Sequence, residues 1–213
     1  MAAFQSHPDH ACDTQSAHVG LENRMSSSVD ARPVHTIDAT NRIVAVNSAW
    51  LQFMRTILPF PIEAQDVIGR PMWDFVSGTQ VRQLWEVLFD RVRNVGAPVF
   101  VPMRSDTANL RRVLDVELHP MAERSIRQVF ELVWTEPRPR VALFDHSQPR
   151  NEATLTCCAW CNRIQVRLGM WQEIEDAQLT LRIEAAPTLP SLTRGVCSSC
   201  KQSLLKTFPA KIA

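Results

Sequence analysis

The chain has 213 residues and a mass of 24.2 kDa, which is room for one ordinary domain and a small module but not for two full domains with linkers. A formal net charge of +1 and a pI near 7.7 give none of the basic excess that draws a protein to nucleic acid or an anionic membrane surface. No apolar run approaches the ~20 residues of a membrane span, and residues 1–20 lack a basic segment followed by an apolar stretch, so a cytoplasmic protein is expected.

Residues 1–32 read as a disordered leader. Cys12 stands there among His7, His10, Asp13 and His18, but without apolar periodicity nothing would hold these groups together as a metal site. Ordered sequence begins near Pro33. Two short β-type runs, 34–38 and 43–46, flank the turn-type spacer Ala-Thr-Asn-Arg and predict a hairpin. Asn47 and Ser48 then offer N-cap oxygens to a helix whose apolar face is Trp50, Phe53, Met54 and Ile57, with Pro59 and Pro61 expected to stop it.

Val-Ile-Gly-Arg-Pro at 67–71 leads into Met72, Trp73, Asp74 and Phe75. Ser-Gly-Thr at 77–79 opens the longest helix, striped by Val81, Leu84, Trp85, Leu88, Phe89 and Val92 and closed by Gly96 and Pro98. Three strand-like runs follow, at 99–103, 113–118 and 128–134. In the second, Leu114, Val116 and Leu118 alternate with Val113, Asp115, Glu117 and His119, the period of a sheet with one buried face. Two strands, several helices and three strands pack most economically as an α+β domain, a five-stranded antiparallel sheet with its helices on one face. Residues 137–156 break the pattern and read as a proline-rich linker with apolar anchors at Val141, Leu143 and Phe144.

The element order, with Ile43-Val-Ala-Val-Asn47-Ser-Ala-Trp50 and Val67-Ile-Gly-Arg-Pro71 at these positions, resembles a PAS domain over residues 33–136. The resemblance implies a sensor or dimerisation domain whose sheet and helices enclose a pocket for haem, flavin or a small metabolite. It also implies a homodimer and a partner signalling protein. The side chains that would line such a pocket are Trp50, Phe53, Met54, Trp73, Phe75, Trp85 and Phe89, although a stripe at helical spacing is more often ordinary core. Haem would need an axial ligand: the long helix carries no histidine, His35 and His119 fall on strands, and His119 is in phase with the polar face. No cysteine lies between Cys12 and Cys157, which excludes light-driven flavin–cysteine adduct chemistry in that region.

Chemistry is concentrated in residues 157–213. Cys158 and Cys161 form one Cys-x-x-Cys pair and Cys197 and Cys200 a second, 35 residues apart, in a stretch with too little apolar material to fold unaided. Four thiolates on two tight turns suit a closed structural Zn2+ site, with a knuckle, a hairpin and a metal-bound helix start as in a treble clef. The second pair directly precedes a predicted helix at 201–206, whose N-terminal amides favour thiolates. A thiol redox switch or oxidoreductase is the competing reading of the same pairs, but that chemistry wants Cys-x-x-Cys at a helix start after a buried strand, and residues 164–169 alternate as a strand. Cys157 could replace Cys158 as ligand. Attached c-type haem would require histidine where Asn162 stands.

With Asn162-Arg163-Ile164, Trp171-Gln-Glu-Ile-Glu175 and Thr193-Arg-Gly-Val-Cys197, this tail is similar to a small cysteine module found at the C-terminal end of bacterial PAS and response-regulator signalling proteins. Seven Lys or Arg face four Asp or Glu from residue 157 onward, and four thiolates on Zn2+ leave about −2, so a zinc-dependent DNA-binding regulator is the weaker alternative. No phosphate loop, serine-nucleophile motif or HExxH is present, which points to a non-enzymatic signalling protein with no catalytic residues. Arg104 with Asp106, and Arg111 with Arg112, flank a turn and read as surface ion pairs. Ligand occupancy or dimer geometry in the first half is expected to change what the tail presents to a partner, and Cys197→Ser is expected to unfold the tail while leaving the first half intact.

Overall fold

The structure, a computed structural model, describes residues 32–58, 60–183 and 186–207. The Cys12 segment lies outside the described residues. β1 (Val34–Ile37) and β2 (Ile43–Val46) form the expected antiparallel hairpin, with Asn41 left-handed at φ 63° in its turn. Asn47 caps α1 (Ser48–Arg55), its Oδ1 accepting from Trp50 N at 2.8 Å. The same oxygen accepts from Val34 N at 3.0 Å, and Nδ2 donates to Arg32 O at 2.8 Å, so one side chain fixes the helix to the strand beside it. The helix ends at Arg55, before the prolines expected to stop it, where Thr56 Oγ1 donates to Phe53 O.

After α2 (Ala64–Val67) and a 3-10 turn (Met72–Phe75) comes α3 (Thr79–Val95), closed by a left-handed Gly96 as expected. Its six-residue apolar stripe is buried as the periodicity required. β3 (Val99–Arg104), β4 (Leu110–Pro120) and β5 (Ile126–Pro137) complete an antiparallel five-stranded sheet in the order β2-β1-β5-β4-β3. Val116 and Leu118 are buried in the same cluster as Leu88, Phe89 and Val92 of the helical layer, Leu114 is buried in the same phase, and the alternate residues of β4 face outward. This is the α+β arrangement that the PAS resemblance implies.

Residues 137–156 do not run free between two units. They hold a 3-10 turn (Ala142–Phe144) and most of β6 (Arg150–Cys158), and Val141 and Leu143 are almost fully buried. The physical reason is apolar: Val141, Leu143, Cys157, Ile164, Ile174, Ala177 and Leu189 share a second, smaller core. β7 (Ile164–Arg167), β8 (Met170–Gln172) and β9 (Leu189–Gly195) join β6 in a sheet of order β8-β7-β6-β9, in which β6 and β9 run parallel. α4 (Ile174–Leu181) packs on this sheet, and α5 (Ser198–Thr207) closes the described chain.

The two sheets share buried material. Cys158, Trp160, Cys197 and Leu204 belong to the same apolar cluster as Leu84, Trp85, Leu88 and Val101. The Trp160 ring lies 5.5 Å from that of Trp85, and Trp160 O accepts from Arg104 N at 2.7 Å, which ties the edge strand β3 to the cysteine region.

Candidate functional site

Cys158 ends β6, Cys161 follows in a turn where Asn162 N returns to Cys158 O, and Cys197 and Cys200 stand at the start of α5. A left-handed Asn162 (φ 58°) makes that first turn tight enough to return both sulfurs to one side. The β7–β8 hairpin lies between the pairs. The four Sγ atoms lie within 4.8 Å of one another, and Cys161 Sγ and Cys197 Sγ are 3.7 Å apart. Sulfurs 2.3 Å from a tetrahedral Zn2+ stand ~3.8 Å from each other, so the donor set fits such an ion.

Backbone amides support the sulfurs: Cys197 N donates to Cys158 Sγ and Cys200 N to Cys197 Sγ, both at 3.4 Å. Hydrogen bonds from the Cys161 and Cys200 thiols hold Cys158 well below the ordinary thiol range. Donation to Cys158 pushes Cys161 up to about 12, and Cys200 is raised for the same reason. Four sulfurs this close cannot all ionise without a cation to neutralise them. Cys157 stands apart: burial pushes its thiol up to about 11, while Arg194 Nη1 donates to its sulfur at 3.2 Å.

Next to this cluster is a half-open cavity of about 260 Å³ lined by residues of both sheets. Of the side chains named from the sequence, Trp50, Phe53, Met54, Phe75 and Trp85 line it, whereas Trp73 and Phe89 do not. Phe89 is wholly buried between α3 and the sheet, against the ring of Trp85, and Trp73 borders a separate surface depression with Leu58 and Phe60. His35, Gln128, Phe130 and Met103 contribute from the first sheet, and Ala159, Asn162 and Arg194 from the cysteine region. His35, expected only as a strand residue, points inward; burial lowers its pKa to about 3. His119 faces outward as its phase required, with Nε2 2.8 Å from Glu117.

The arginines flanking the β3–β4 turn are not surface pairs. Arg104 binds Asp106, whose side chain is fully buried, and reaches Glu173 at 2.6 Å; Arg163 also binds Glu173, at 2.9 Å. Arg138, 3% exposed, contacts Asp106 at 3.4 Å and Glu175 at 3.3 Å, and Arg111 contacts Glu175 at 2.8 Å. Burial works against charge at Glu173, but hydrogen bonds from Arg104 and Arg163 outweigh it and hold the carboxyl below its usual range. Glu173 and Glu175 lie at the N-terminal end of α4, so this network is a second tie between the units.

No helix among the described residues is long and apolar enough to cross a membrane. No family model matches the chain, and no curated protein does. Solved structures similar to it include the PAS domain of BvgS from Bordetella pertussis, at 15% identity and a TM-score of 0.35, covering 54% of this chain and 86% of that one. A domain of a sensory box sensor histidine kinase/response regulator from Geobacter sulfurreducens matches at 11% identity and a TM-score of 0.37, over 55% of this chain and 98% of its own. The PAS domain of an HTR-like protein from Haloarcula marismortui matches at 12% and 0.33, over 56% and 100%. At these scores the PAS-like reading of the first sheet rests on its own strand order and helix placement.

Proposed function

We propose that this protein is a cytoplasmic, non-enzymatic signalling adaptor in which a PAS-like receptor domain and a zinc-stabilised cysteine module act as one unit. The observation that carries the reading is the composite cavity: Asn162 follows directly on Cys161, Arg194 lies three residues before Cys197, and both line the same space as Trp50 and Trp85. A molecule in that space touches both units, so its binding free energy depends on how the module is seated and is returned to the module by linkage. The output is then the surface that the module and β3 present to a partner signalling protein. Exposed Phe100 and Trp134, on the outward face of the sheet with Val113 and Glu117, offer a surface for homodimerisation.

Zn2+ has a structural part in this reading. Cys158, Cys161, Cys197 and Cys200 would hold it, and it would supply the charge that lets all four sulfurs ionise together. Native mass spectrometry of freshly purified protein, compared with the denatured mass, tests it. One zinc per chain is expected, with the thiols of Cys158, Cys161, Cys197 and Cys200 reacting only after chelation. A two-hydrogen deficit without metal would replace this reading with a thiol redox protein.

A further inference from the structure

Two polar residues in the wall of the composite cavity lack hydrogen-bond partners. His35 on β1 and Gln128 on β5 are cross-strand partners, 4% and 0% exposed, and both line the cavity. Neither ring nitrogen of His35 has a hydrogen-bond partner, nor has Oε1 of Gln128. Gln128 Nε2 reaches only the thioether sulfur of Met72, at 3.5 Å, a weak acceptor. Buried polar atoms are nearly always paired, and three orphans beside one cavity mark a place where a partner group belongs.

We infer that the cavity takes an uncharged one- or two-ring aromatic molecule bearing a hydroxyl or amide, whose polar group is held between His35 and Gln128. This rests on the reading of the cavity as a receptor site. Size sets the first limit, the scale of the part held inside: 260 Å³ exceeds the ~150 Å³ of an apolar cavity that takes benzene and falls short of the ~300 Å³ where drug-sized sites begin. The walls set the second. Trp50, Phe53, Trp85 and Phe130 present ring faces and edges, with Met54 and Met103 between them, a lining that favours a flat, polarisable body.

Hydrogen bonding sets the third limit. A neutral imidazole offers one N–H and one acceptor nitrogen, and Gln128 offers an acceptor oxygen, so the matching group must both donate and accept. Deep burial keeps His35 neutral, so neither it nor Gln128 compensates an ionised group held between them. The cations of the lining are already engaged, Arg104 by Asp106 and Glu173 and Arg194 by Cys157 and Asn162.

The test is titration of the full-length zinc-loaded protein with 2-naphthol, 2-methoxynaphthalene, naphthalene and 2-naphthoate, followed by tryptophan fluorescence and calorimetry. One molecule of 2-naphthol per chain is expected, bound about ten-fold more tightly than 2-methoxynaphthalene, which lacks the donor, with 2-naphthoate weakest. In His35→Phe and Gln128→Leu that preference should shrink to within about three-fold. Equal binding of the three neutral compounds by the wild-type protein overturns the assignment of His35 and Gln128 without needing either variant to fold, and leaves the receptor reading standing. Failure of folded protein to bind any of the four overturns the receptor reading itself.

Discussion

His35 and Gln128 stand side by side across the β1–β5 pairing, both facing inward, and neither completes the hydrogen bonds of the other. A histidine so placed stays neutral when folded, its pKa lowered by burial to about 3, while in the unfolded chain it titrates near 6.5. Between these values the unfolded state binds a proton that the folded state refuses. Stability is therefore fully present above about pH 6.5 and is lost as pH falls toward 3. From pH 7 to pH 5 the loss from this group should be about 2 kcal/mol. Denaturant unfolding of the wild type and His35→Phe at both pH values should show a difference of that size in their pH dependence. Arg104, Asp106 and Arg194 border the same cavity and are common to both proteins, so they largely cancel. Equal slopes would mean that water or a neighbour satisfies the ring.

Much of this architecture was legible because it follows from local period and local chemistry. The alternation in β4, the stripe of α3 and the Asn47 cap each depend on residues within a few positions of one another. The four-thiol cluster was legible for a different reason, since two Cys-x-x-Cys turns have few other stable uses. His35 was not, because a four-residue strand is too short to show which phase faces inward. Gln128 left a fainter mark: it occupies the inward phase between Ile126 and Phe130, a polar residue in an apolar series. The pairing of Arg104 with Glu173 spans 69 residues, and no periodicity reports a contact of that range.

Gly78 shows how closely the units approach. It precedes α3 at φ 91°, and a Cβ built there would lie 2.2 Å from the carbonyl oxygen of Arg194 in β9. Gly96 at the other end of α3 also has positive φ, at 69°, but open space around it. Gly96→Ala should therefore cost only the ~1–2 kcal/mol of a left-handed alanine. Gly78→Ala must in addition push β9 away from α3, so it should cost more than Gly96→Ala by at least about 2 kcal/mol. The loss should be accompanied by greater exposure of Trp160, measured by unfolding and by fluorescence quenching. Matching costs for the two substitutions would mean that β9 is not held against the N-terminus of α3.

The shared core changes what loss of the metal should do. Viewed as an independent tail, residues 157–213 would unfold alone in Cys197→Ser. Yet Trp160 is 3% exposed against Trp85, and Cys158, Cys197 and Leu204 complete an apolar cluster that begins in α3 and β3. Releasing the module removes one wall of that cluster and uncovers the Trp85 ring, a change comparable to truncating a buried tryptophan, about 3–5 kcal/mol. Chelation, or Cys197→Ser, should then lower the unfolding midpoint of the first sheet as well, with hydrogen exchange of the β3 and α3 amides rising together with that of α5. If those amides kept their protection while α5 lost its own, the module would be docked on the receptor domain without contributing to its stability, and coupling through the cavity would have to run without the common core.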